Sequence, residues 1–276
     1  MQIKVAGHSG FCFGVKRAIN IAEKTLAGSS RKNSNFYSLG PLIHNPQVVD
    51  DLSQRGLRVI DKIDGLMNGT VIVSSHGAAK DVIRRIKRKK IKLVDATCPF
   101  VKYAQDIVRK LKKEGYHIII IGDKEHPEVK ALMSLSGNTE RGAKSKKIAI
   151  ISQTTQSKEN YILNILEIMK DDFSEIRIFN TICNDTSRRQ ELARGLLKEC
   201  DVMIIVGGKN SANTKRLCEI CKVSGVDSYH IEVPSELKED YFAGKKCAGI
   251  VSGASTPDSI VRSVLHKIKE LTKGAY

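Results

Sequence analysis

The chain has 276 residues, 41% hydrophobic and 28% charged, with seven Cys, no Trp and a formal net charge of +16. It is too long for a mini-domain and long enough for one sizeable core or two or three small ones, in the composition of an ordinary globular protein. No apolar run approaches the roughly 20 residues of a membrane span, and MQIKVAGHSGFCFG at the N-terminus lacks a signal-peptide layout, so a cytoplasmic protein is expected.

In chain order, Cys12 comes first, in GFCFGVKRAI ahead of a helical stretch, and His44 follows in the turn-like GPLIHNPQVV. The run VIVSSHG (71–77) reads as a strand entering a turn at His76. A dense basic run follows: Arg84, Arg85, Lys87, Arg88, Lys89, Lys90 and Lys92. The strand KLVDAT then leads to Cys98, and Pro99 suits the first position of a helix. HIIIIGDKEHPEV (117–129) is a strand and turn carrying His126 and Glu128. A second basic run, Arg141, Lys144, Lys146 and Lys147, precedes IAIISQTTQS (148–157), which holds Thr154 and Thr155. Cys183 lies in TICNDTSRRQ, again before a helix. VMIIVGGKNSANT (202–214) and AGIVSGASTPDSIV (248–261) end in polar turns with Ser211, Asn213 and Ser255. Short β-branched runs followed by small or polar turns and helical patterns predict an α/β fold with buried parallel strands. Ligands of such folds sit at the carboxyl ends of the strands, where helix N-termini offer free N–H groups.

An odd number of irregularly spaced cysteines argues against a disulfide framework and leaves metal binding, reactivity or burial. Cys12, Cys98 and Cys183 share one context and near-equal spacing, as three similar α/β units would give if each offered one thiol. Three thiolates can hold a cubane cluster and leave its fourth iron open, whereas a structural zinc site usually takes closely paired ligands. Each cysteine also fits as a small buried hydrophobe. Cys218 and Cys221 form a C-x-x-C pair on a helical pattern, where packing is expected, as it is for Cys200 and Cys247. His44, His76 and His126 can serve an anion or stabilise their loops. Glu128 is a proton donor if burial raises its pKa, and a solvated carboxylate otherwise. Ser211, Asn213, Ser255, Thr154 and Thr155 suit helix caps and phosphate contacts alike. The basic runs fit a solvated face, nucleic acid, an anionic substrate or an acidic protein.

Taken together, GFCFGVKRAI, LIHNPQVV, SHGAA, VDATCPFV, HPEV, SQTTQS, TICNDTSRRQ, KNSANTKRL and SGASTPD closely resemble the 4-hydroxy-3-methylbut-2-enyl diphosphate reductase family, in family order over nearly the whole chain. The resemblance implies a pseudo-threefold trefoil of α/β domains (14–97, 98–181, and 182–276 with 1–13) around a central [4Fe–4S] cluster. Cys12, Cys98 and Cys183 match its ligands, leaving one iron unbound by protein. His44, His76, Ser211, Asn213 and Ser255 match diphosphate contacts. His126 matches a residue that contacts substrate and assists protonation, Glu128 the acid at the head of the proton route, and Thr154 a hydroxyl that holds the substrate alcohol; Thr155 adjoins the same pocket. The implied reaction is reductive dehydroxylation to isopentenyl and dimethylallyl diphosphate. An acidic ferredoxin or flavodoxin docked on the run at 84–92 would supply electrons. His8-Ser9 stands where Pro-Arg is expected, Asp123 where a further histidine often precedes the HPEV string, and Ala212 where some relatives carry a second serine. Against a nucleic-acid-binding module stands an aromatic content of only 5% for base stacking; a zinc-dependent phosphate-ester hydrolase is the other alternative.

Overall fold

The computed structural model describes residues 1–28, 35–89, 91–137 and 146–273. Lys90, Arg141 and Lys144 of the two basic runs lie outside them. The chain divides into two compact units, one of Phe13–Ile43 and Gln47–Cys183, the other of Met1–Cys12, His44–Pro46 and Asn184–Tyr276.

The first unit holds two parallel sheets. One contains β2 (Phe36–Leu39), β3 (Leu57–Ile60), β4 (Thr70–Val73) and β5 (Lys92–Asp95) in the order β3-β2-β4-β5. The other contains β6 (His117–Ile121), β7 (Lys147–Ser152) and β8 (Glu175–Phe179) in sequence order. The second unit has one parallel sheet, β1-β11-β9-β10, made from β1 (Gln2–Val5), β9 (Val202–Val206), β10 (Asp227–Ile231) and β11 (Cys247–Ser252). The N-terminal strand thus pairs with the last one. The helices are α1 (Phe13–Ala27), α2 (Pro46–Gln54), α3 (Lys80–Arg88), α4 (Pro99–Lys113), α5 (Pro127–Ser136), α6 (Lys158–Ile168), α7 (Asn184–Leu197), α8 (Ala212–Val223) and α9 (Asp258–Thr272); α2, α3, α5, α6 and α8 join strands of one sheet, α1, α4 and α7 lead from one sheet to the next, and α9 follows the last strand.

Strand side chains alternate between faces, and helices cover both faces of these sheets, so one strand feeds two cores. In β9, Val202, Ile204 and Val206 pack with Val261, Val264 and Ile268 of α9, while Met203 and Ile205 pack with Ala193 and Leu217 on the opposite face. In β7, Ala149 and Ile151 join Ala104, Val108 and Leu132, while Ile148 and Ile150 join Tyr161 and Ile168. These central strands are the continuous apolar runs of the sequence. Among the described residues, no helix is long and apolar enough to cross a membrane.

Candidate active site

Every candidate residue lies just beyond the carboxyl end of a parallel strand: Cys12 after β1, His44 after β2, His76 after β4, Cys98 after β5, His126 and Glu128 after β6. Thr154 and Thr155 follow β7, Cys183 follows β8, Ser211 and Asn213 follow β9, and Ser255 follows β11. Parallel strands point their carboxyl ends one way, which is why a sheet of this class gathers polar residues on one edge.

In the first unit, Glu128 sits in the first turn of α5 and is 1% exposed. Its two carboxyl oxygens accept from Thr154, one from the backbone N–H at 2.7 Å and one from Oγ1 at 2.7 Å. Burial lifts its pKa to about 7, against the pull of those two donors. His126 caps the same helix by accepting the Glu128 N–H at Nδ1, 3.2 Å away, which leaves the imidazole proton on Nε2. Its ring meets the His76 ring edge-on at 5.0 Å. Gly77, next to His76, has φ +81°, and a Cβ there would fall 2.6 Å from Gln105 Nε2, so only glycine fits this turn. Thr155 is half-buried beside Thr154.

Cys98 occupies the N-cap position of α4, with Pro99 behind it as the sequence predicts. Burial raises its thiol pKa, opposed by hydrogen bonds from the N–H groups of Phe100 and Val101 and by the nearby Arg17 charge. Cys183 immediately precedes α7, and its N–H donates to Thr154 O at 2.9 Å, joining thiol and acid to one loop.

In the second unit, Cys12 precedes α1 and donates its N–H to Ala254 O at 3.0 Å. The loop before it is held by Arg189, 2% exposed on α7, which donates to the carbonyls of Gly10 at 2.8 Å and Ser252 at 3.0 Å, and to Asp185 at 2.7 Å. His8, one of the departures from the family pattern, lies 2.5 Å from the same Asp185. Burial alone would raise the Asp185 pKa, but Arg189 and His8 hold it below the ordinary carboxylate value. The string TICNDTSRRQ by itself assigns no role to Asp185 or Arg189, because their partners at Gly10 and Ser252 are distant in the chain.

Ser211 caps α8 by accepting the Thr214 N–H at 3.3 Å. Ser255 instead donates to His44 O at 3.1 Å, and no side chain caps α9. Asn213 is buried, and neither its amide nitrogen nor its amide oxygen has a partner among the described residues. Leaving such a group unpaired is costly, so it marks a place for a polar ligand. Burial and, after it, the Lys215 charge both lower the His44 pKa.

The four remaining cysteines differ in kind. Cys200, Cys218, Cys221 and Cys247 are buried in one apolar cluster, and burial pushes Cys200 and Cys221 up to about 12 and Cys218 to about 11. Such thiols are inert. Cys12, Cys98 and Cys183 are each only partly buried and each lies at the start of a helix, and thiols are the ligand type an iron–sulfur cluster takes.

Fold and site together define a parallel α/β enzyme with thiols, imidazoles and one buried acid at its strand ends. The sequence model of the LytB protein family matches residues 3–269, and the chain belongs to that family. It is 41% identical to the 4-hydroxy-3-methylbut-2-enyl diphosphate reductase of Geobacter sulfurreducens, over 98% of each chain. To the enzyme of that name from Nitratiruptor sp. it is 43% identical, over 98% of this chain and 99% of the relative. The solved (E)-4-hydroxy-3-methyl-but-2-enyl diphosphate reductase, described as the terminal enzyme of the non-mevalonate pathway, matches with a TM-score of 0.69 at 40% identity, covering 98% of this chain and 100% of that one. The E-1-hydroxy-2-methyl-but-2-enyl-4-diphosphate reductase of Plasmodium falciparum matches with a TM-score of 0.90 at 26% identity, over 97% and 88%.

Proposed function

We propose that the chain is a cytoplasmic iron–sulfur reductase that converts 4-hydroxy-3-methylbut-2-enyl diphosphate to isopentenyl and dimethylallyl diphosphate. The net change replaces a C–OH bond with C–H, consuming two electrons and two protons and releasing water. The single observation that carries this reading is the Glu128–Thr154 pair, a buried acid clamped by a hydroxyl, in a chain that matches the family from residue 3 to residue 269. Neither a nucleic-acid module nor a zinc hydrolase gains support from the relatives.

Cys12, Cys98 and Cys183 would hold a [4Fe–4S] cluster with one iron free of protein ligands. When bound, such a cluster supplies electrons and a Lewis-acidic iron. The chain's own groups do the rest. Glu128, buried and with a pKa near 7, is about half protonated at neutral pH, the poise that suits a general acid. Thr154 fixes that carboxyl through two bonds and keeps a hydroxyl oxygen free to accept from the substrate alcohol. His126 presents Nε2–H as a second donor. His44, His76, Ser211, Asn213 and Ser255 bind the diphosphate, with the unsatisfied Asn213 amide as its most exacting contact. An acidic ferredoxin or flavodoxin delivers the electrons.

The test is anaerobic purification followed by iron and sulfide analysis, electron paramagnetic resonance and product detection with a chemical reductant. A brown protein yielding both five-carbon diphosphates is expected. A colourless zinc protein, or a cluster protein that leaves the substrate unchanged, would overturn the assignment.

A further inference from the structure

A groove of about 890 Å³ runs between α3, β5, α4 and the end of α5, wholly inside the first unit and lined by none of the candidate active-site residues. Lys80, Arg84 and Lys87 line it from one face of α3, and Arg109, Lys112 and Lys113 from the last turns of α4. Spacings of three and four place each trio on one helical face, so two basic rows converge on one concavity. Among the described residues, Lys80, Arg84, Lys87, Lys112 and Lys113 form no side-chain ion pair. Arg109 is paired with Asp106 at 2.5 Å, and the groove's one carboxylate, Asp95, is held by Lys102 at 2.6 Å. Helix dipoles favour a cation or two at a C-terminus, but they do not account for two facing rows beginning as early as Lys80.

Like charges crowded this way repel until an anion arrives, and the volume is that of a small-molecule site. Ile83, Leu93 and Leu135 give the groove apolar walls, and Thr97 and Gln105 add neutral polar groups. Among the described residues no aromatic side chain lines it, so none of them offers a face on which bases could stack. Lysines with a guanidinium fork suit phosphate oxygens, and the apolar walls suit an organic body attached to them.

We propose that this groove is a second, non-catalytic site for a small organic diphosphate. It shares walls with the candidate active site. Thr97 precedes Cys98 in the chain, and Gln105 Nε2 packs against the Gly77 turn that follows His76. A ligand held by the two basic rows therefore bears on the segments that carry a candidate cluster ligand and a candidate diphosphate contact.

The test is calorimetric titration of the full-length, cluster-loaded protein at physiological ionic strength, with geranyl diphosphate, ADP and inorganic diphosphate as probes. The comparison protein carries Arg84→Gln, Lys87→Gln, Lys112→Gln and Lys113→Gln, all exposed positions. Wild type should take up one equivalent more of an organic diphosphate than this variant, with at least tenfold weaker binding at that site in the variant. Inorganic diphosphate should bind the groove more weakly than the better organic probe, and the ranking of geranyl diphosphate against ADP identifies the prenyl or nucleotide source. Turnover of the variant with a small chemical reductant should match wild type, showing that it is folded. Equal stoichiometry in the two proteins overturns the proposal. So does unchanged stoichiometry with a selective loss of turnover on an acidic protein donor, which would make the groove a protein-docking surface. The extra equivalent does not depend on catalysis, so it would persist even if the reductase assignment failed.

Discussion

Glu128 sets its own pH dependence at the residue scale. Its folded pKa, about 7, exceeds the ordinary 4.5, so the native state takes up a proton between those values and stability falls as pH rises through that window. Above pH 7 the buried charge costs about 3 kcal/mol. Glu128→Gln should therefore raise the melting temperature at pH 8 and leave it nearly unchanged at pH 4, while turnover falls by roughly 10²–10⁴ because an amide delivers no proton. Thermal scans at the two pH values and anaerobic kinetics check both halves; near-normal turnover would remove Glu128 from the proton route. For the thiols, Cys12→Ser, Cys98→Ser or Cys183→Ser should strip iron from the protein, whereas Cys218→Ser or Cys221→Ser should keep it, as metal analysis of each variant will read. At position 212, the first residue of α8, Ala212→Ser should tighten substrate binding by about 2–10-fold, the worth of one neutral hydrogen bond in a polar site. Asn213→Ala should weaken it far more, and anaerobic titration of both variants decides between them.

Elements matter here through what they hold in place. Helix α7 ties the Cys12 loop to the end of β11 through the Arg189 guanidinium, which serves the carbonyls of His8, Gly10 and Ser252 and the Asp185 carboxylate at once. Arg189→Ala would leave the half-buried Asp185 with His8 alone and strip the loop carbonyls of their donor, so we expect a loss of about 1–3 kcal/mol in denaturant unfolding and a parallel fall in iron content. A variant with intact stability and normal iron would show that the loop holds Cys12 without it. The basic run of the sequence divides over α3 in the same structural sense. Arg84 and Lys87 face the groove, Arg85 pairs with Asp64, Lys89 donates to Leu66 O, and Arg88 and Lys92 stay exposed. One stretch of like charge thus serves several surfaces, a division that follows from helical periodicity and is invisible in a count of lysines.

At the scale of the whole molecule, a net charge of +16 would make association with any acidic partner, the proposed electron donor included, faster and salt-sensitive. Replacing Arg88, Lys89 and Lys92 with neutral residues should slow donor-supported turnover, more at low salt, and spare turnover with a small reductant. Equal loss with both donors, or with neither, would exclude this surface as the docking site.

Much of this was legible in the residues themselves. The central strands announce themselves as β-branched runs because both of their faces are buried, and Cys98 with Pro99 declares a helix start by chain chemistry alone. Edge strands such as β1, β3 and β8 carry exposed, half-polar residues and leave no such run, so only pairing with a neighbour reveals them. Ser211 was foreseeable as a cap because capping is local, and it is one. The choice between a solvated Glu128 and a buried acid with a pKa near 7 depends on Thr154, 26 residues away, and on the packing that excludes water. Burial of Cys200, Cys218, Cys221 and Cys247 was expected from their sequence context, whereas only the tertiary structure showed that Cys12, Cys98 and Cys183 stay partly exposed at helix starts. Residue types and local order are written in the chain, whereas desolvation and long-range partners exist only once it has folded.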